Sequence, residues 1–132
     1  MDLEVVNGDM RGPFVTYLGL EFTEVSGDRV VATWTADERH HQPYGIVHGG
    51  VHAGVVETLG SLGSAAWLGD DGTCVGVNNS TDFYRAVREG EMTSTATPIH
   101  QGRSQQVWVV ETRDGQGRLV ARGQLRVQNL TR

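Results

Sequence analysis

From Gly49 to Leu68 apolar residues recur every three or four positions, and Val51, Val55, Leu59, Leu62 and Ala66 form one stripe. That period predicts a helix, and Gly69-Asp70-Asp71-Gly72 stops it. Inside it stand Gly50, Gly54, Gly60 and Gly63, each costing roughly 1 kcal/mol relative to alanine. A helix so burdened is expected to be held by packing and therefore buried. Before it, residues 14–20 read as one or two helical turns. Residues 20–25 and 29–35 read as strands joined by a hairpin turn at Ser26-Gly27-Asp28. Residues 36–47 are polar, contain Pro43 and Gly45, and read as loop. After the helix, 73–84, 92–101, 104–113 and 118–128 read as strands. The last alternates cleanly, with Leu119, Ala121, Gly123, Leu125 and Val127 on one face, the mark of an antiparallel strand with one wet side. The pattern predicts an α+β domain: two strands, a long helix, then a four-strand meander, with the antiparallel sheet wrapped around the helix.

Composition narrows the class. A chain of 132 residues with 38% hydrophobic and 20% charged positions is expected to be one globular domain. Its first 13 residues read as a loose segment. The net charge of −5 argues against nucleic acid as a partner. All eleven basic residues are arginines, so lysine nucleophiles and Schiff bases are excluded. The single cysteine, Cys74, excludes an internal disulfide and cysteine-based zinc sites, and its apolar setting reads as an inert thiol. The acidic start lacks a signal-peptide pattern, and no apolar run has membrane-spanning length. A soluble cytoplasmic protein is expected.

The candidate chemistry sits on the helix. Glu57 lies opposite the apolar stripe, on a face shared with Gly50, Ala53, Gly54, Gly60, Ser61 and Ser64. A wet helix face would carry Lys, Arg and Glu there. Small neighbours instead leave open space above the carboxylate, useful only if a ligand, a backbone or a second subunit fills it. At the helix start, Gly49 and Gly50 present amides without intrahelical partners at the positive end of the dipole, suited to polarising a carbonyl. Gln42 and His48 flank this start. His48 and His52, four apart, have the spacing of metal ligands, but the run is HGGVH, not HExxH. A capping or orienting role for His48 is favoured, and no metal is expected. His40, His41 and His100 read as surface residues.

Gln42-Pro-Tyr-Gly-Ile-Val-His-Gly-Gly-Val51 followed by Val56-Glu-Thr-Leu-Gly-Ser61 resembles the signature of the hotdog-fold thioesterases. The resemblance is strongest to the phenylacetate-pathway type and the Arthrobacter-type 4-hydroxybenzoyl-CoA thioesterases. Residues 75–84 and Gly102-Arg-Ser-Gln105 fit the same family, so the resemblance covers about 14–128. It implies an acyl-CoA or aryl-CoA thioesterase with no cofactor, forming dimers that pair into tetramers, with active sites at the dimer interface. By resemblance Glu57 is nucleophile or general base, Gly49 polarises the thioester carbonyl, Gln42 and His48 assist, and Ser61 positions water. Arg103 and Ser104 would hold the CoA phosphates, with Arg85 and Arg88 as second candidates. Gly50 would stand with Gly49 at the substrate carbonyl, and Asn78 would either line the pocket or satisfy backbone groups at the interface. Two rivals stand beside this reading: a hotdog enoyl-thioester hydratase or dehydratase using His48 with Glu57, and a non-catalytic acyl-CoA-binding protein.

Overall fold

The computed structural model describes residues 1–131, and Arg132 lies outside them. The glycine terminator and helical period give one long helix, α3 (Gly49–Leu68), of 20 residues. It lies on a sheet of six strands: β1 (Glu21–Val25), β2 (Val30–Ala36), β3 (Gly72–Phe83), β4 (Gly90–Gln101), β5 (Gln105–Arg113) and β6 (Leu119–Thr131). Among the described residues no helix is long and apolar enough to cross a membrane.

All neighbouring strands are antiparallel, in the order β1-β2-β4-β5-β6-β3. This corrects the expected four-strand meander. Only β4, β5 and β6 follow one another; β3 pairs with β6 and forms an edge of the sheet. The expected loose start is also corrected. Residues 3–7 form α1 (Leu3–Asn7), capped by Asp2, and α2 (Gly12–Leu18) follows. Asn7 holds α1 to β1 by bonding both the carbonyl and the amide of Phe22 (2.9 and 2.7 Å), and Val6 is buried.

The face that α3 turns to the sheet is wider than its apolar stripe. Val55 and Leu59 are buried as expected, but Val51, Leu62 and Ala66 are only partly covered. Gly60, Gly63 and Ser64 are buried instead. A Cβ on Gly60 would stand 2.6 Å from Leu125 Cδ2, and one on Gly63 2.5 Å from Trp108 Cη2. The glycines thus let the helix backbone settle onto large sheet residues, and this packing offsets their poor propensity. Gly63→Ala is expected to lower unfolding free energy by about 1–3 kcal/mol through overpacking, measured by urea titration.

β3 carries a feature that alternation alone does not reveal. Its register against β6 slips between Gly76 and Asn78, leaving Val77 as a bulge. A bulge of one residue switches which side chains face the core. Before it Cys74 and Gly76 face α3; after it Asn79 and Phe83 do. Asn79 Nδ2 donates to Ala53 O at 2.9 Å, which anchors the second half of the strand to the helix.

Candidate active site

The segment before α3 is pinned at several points. Asp37 caps a 3₁₀ turn at Glu38–His40. His40, expected at the surface, is 1% exposed and joins Leu18 O through Nε2 at 2.9 Å. Its ring ties the loop to the end of α2, a contact no local pattern announces. His48 N and Val47 N then donate to His40 O and Val87 O, each at 2.8 Å. Arg88 Nη1 reaches the carbonyls of Tyr44 and Gly45 (3.4 and 3.3 Å), so Arg88 clasps this loop. The chain therefore arrives at α3 with His48 extended (φ −65°, ψ 137°) as the N-cap.

His48 Nδ1 accepts from Gly50 N at 2.7 Å. This changes the assignment of the helix-start donors. The Gly50 amide is satisfied by the cap, and Val51 N donates to His48 O. Gly49 N–H finds no acceptor among the described residues, which leaves it as the donor at the positive end of the dipole. Gly49 lines a cavity of about 310 Å³ together with Gln42, His52, Phe83 and Arg85. Gln42 Oε1 folds back onto Tyr44 N, so its amide nitrogen is left for the cavity. Phe83 lies against Gly49: a Cβ there would be 2.7 Å from the ring.

Glu57 and Ser61 line a second cavity, of about 560 Å³, together with Cys74 and the N-terminal Val6, Met10 and Val15. This wall is mainly apolar. Thr58 Oγ1 is committed to Gly54 O at 2.7 Å, whereas the Glu57 carboxylate and the Ser61 hydroxyl take no side-chain hydrogen bond among the described residues. The space around Glu57 comes from β3 rather than from its own helix. Gly60 and Ser64, which share its predicted face, turn to the sheet, and the carboxylate lies over Gly76, where a Cβ would overlap Oε2. Gly76 is a residue of the candidate site that sequence reasoning missed; a lone glycine in a strand was the available signal. Gly76→Ala is expected to lower kcat roughly 10²-fold by displacing the carboxylate, with no loss of stability because strand alanine is favoured over glycine. Steady-state rates and melting temperature on the same preparation check this.

The other predicted positions are scattered. Cys74 is half-buried, its Sγ 3.7 Å from Ser61 O, and burial pushes its thiol pKa up. Asn78 is exposed on β3 after the bulge. Arg85 is exposed and lines the Gly49 cavity, and Arg88 belongs to the loop clasp. Arg103 and Ser104 sit in the β4–β5 turn, whose carbonyls are held by the buried Asn129, at the opposite end of the sheet from Phe83. His48 is an exposed cap, whereas His52 is buried. Within one chain, then, Gln42 and Gly49 share one cavity, Glu57 and Ser61 share another, and the two have no lining residue in common.

The comparisons with known proteins bear on this arrangement. Residues 44–121, the span from the loop through α3 into β6, match the model of the thioesterase superfamily. The chain belongs to the thioesterase superfamily. It is 46% identical over 121 residues to a putative esterase, Rv1847, of Mycobacterium tuberculosis, covering 89% of this chain and 86% of that protein. It is 39% identical to the proofreading thioesterase EntH of Cronobacter turicensis, again covering 89% and 86%. The crystal structure of S. sahachiroi AziG superposes with a TM-score of 0.90 at 54% identity, covering 92% of this chain and 98% of that one. The fold is the hotdog fold, and the protein is a thioester hydrolase.

Proposed function

We propose that this thioesterase hydrolyses acyl-CoA or aryl-CoA thioesters in the cytoplasm. Glu57 acts as general base toward water, and the Gly49 amide polarises the thioester carbonyl. The observation that carries the proposal is the Glu57 carboxylate, without an intrachain partner among the described residues, set over Gly76 on a largely apolar cavity. A carboxylate so placed accepts a proton from a water that the Ser61 hydroxyl, one turn on, can orient. The apolar walls suit an acyl group. The hydroxide attacks the carbonyl carbon, charge gathers on oxygen beside Gly49 N–H, and the CoA thiolate leaves with the proton Glu57 took. The hydration alternative called for His48 to work with Glu57. His48 Nδ1 accepts the Gly50 amide, which leaves only Nε2 for such a role.

The two half-sites of one chain need bringing together, and β3 supplies the means. As an edge strand of 12 residues it exposes Val75 (47%) and Val77 (46%), and an open edge of that length invites another strand. Both half-sites touch it, Glu57 at Gly76 and Gly49 at Phe83. A two-fold antiparallel pairing centred between Asn79 and Ser80 sets Gly76 of one copy opposite Phe83 of the other. Glu57 of one protomer then faces Gly49 and Gln42 of its partner. The same pairing carries the partner's β4–β5 turn, with its arginine and serine at positions 103 and 104, toward this chain's helix start. The functional unit is accordingly a homodimer, and pairs of dimers form the tetramer that the family resemblance implies. Thiol release from benzoyl-, phenylacetyl- and straight-chain acyl-CoAs of graded length tests the substrate class; no release from any CoA thioester would contradict it.

A further inference from the structure

His52 is 3% exposed and lines the same cavity as Gly49. It packs edge-on to Trp34, with ring centroids 6.0 Å apart, and lies 6.0 Å from the Phe83 ring. Its polar neighbours have partners: Trp34 Nε1 donates to Ser94 Oγ, and both His40 nitrogens are hydrogen-bonded. His52 does not. Nδ1 is enclosed with no partner among the described residues. A hydrophobic side chain would fill such a place without leaving a polar atom unsatisfied.

Two arguments fix what the ring offers. An enclosed N–H with no acceptor is costlier than an enclosed lone pair, so the proton belongs on Nε2, the nitrogen that is not so enclosed. His52 also stands three residues after Gly49, on the same helix face, and a helical side chain leans toward the N-terminus. The imidazole therefore covers the turn that bears the Gly49 amide. We propose that His52 is a second hydrogen-bond donor of the thioester-binding half-site, presenting Nε2–H to the substrate carbonyl beside Gly49 N–H. Burial, with the nearby His40 as a lesser cause, lowers the His52 pKa to about 4, so the ring is a neutral donor at physiological pH.

The inference rests on the Gly49 carbonyl site proposed above, but its test does not need the identity of the acyl group. The full-length protein is compared with His52→Phe, which keeps an aromatic ring and removes both nitrogens, and His52→Gln, whose amide nitrogen occupies the place of Nε2. Thiol release from the best CoA thioester, or from an acyl-N-acetylcysteamine thioester if no CoA substrate is turned over, is measured with the melting temperature. The expected result is an unchanged or raised melting temperature for His52→Phe with kcat down about 10²-fold, the loss typical of one oxyanion donor. His52→Gln is expected to recover most of that rate. Wild-type kcat in His52→Phe, or equal loss of rate and stability in both variants, would overturn the proposal and make His52 a packing residue. Failure of CoA thioesters alone would instead count against the proposed substrate class.

Discussion

Glu57→Gln is expected to lower kcat for thioester hydrolysis by about 10³-fold, inside the roughly 10²–10⁴ range that general-base groups contribute, while KM and the melting temperature stay near those of the wild type. The substitution preserves shape and removes basicity. Glu57 has no hydrogen bond or ion pair to lose among the described residues, so neutralising it orphans no partner inside the chain. It is partly exposed to its cavity, and an amide there meets no desolvation penalty that the carboxylate did not. The whole effect is therefore expected in the transition state, where a proton must be accepted. Paired kcat and KM measurements with a thermal melt check it. A rate within a few-fold of wild type would remove Glu57 from the chemistry.

The second large effect is expected from Gly49→Pro. Proline lacks the N–H and is tolerated at the first helical position, where that N–H has no intrahelical acceptor anyway. The residue before a proline must be extended, and His48 already is, with ψ 137°. The new ring meets Phe83, whose side chain must turn aside to admit it. The helix is thus expected to form, and the His48 cap on Gly50 to persist, while the carbonyl-polarising donor is gone. A loss of about 10²–10³ in kcat is predicted. Far-ultraviolet circular dichroism of the wild type and variant would show whether helix content is kept.

The long helix was legible from sequence because its period and its glycine terminator are local features, and α3 runs over the predicted 49–68. Strand positions were legible for the same reason. The strand order was not: β3 reads like its successors, and nothing local says that it joins β6 at the edge instead of β4. The Val77 bulge was equally hidden, since a slip in register is a property of two strands. That bulge decides the site, because it lets both Gly76 and Phe83 face α3. Reading Gly60 as space around Glu57 failed for a related reason: it fits the bulk of Leu125, a residue more than 40 positions away in the chain. The burial of His40 and His52 was hidden because it depends on tertiary neighbours: Leu18 for one, Trp34 and Phe83 for the other. By contrast, Gln42, Gly49, Glu57 and Ser61 stood out through spacing and family resemblance, although the chain parts them into two cavities.

That separation makes the shared site the central claim, and mixed dimers test it most directly. Glu57→Gln and Gly49→Pro chains carrying different tags are co-expressed, the species bearing both tags is isolated, and its turnover is compared with that of each parent. If Glu57 of one copy works with Gly49 of the other, one of the two sites in each mixed dimer is intact. Turnover then rises from the residual level of either parent toward half that of the wild type, in proportion to the mixed dimers that the isolated tetramers contain. Turnover no higher than the parents' would mean that each site lies within a single chain, and would contradict a site shared across the dimer.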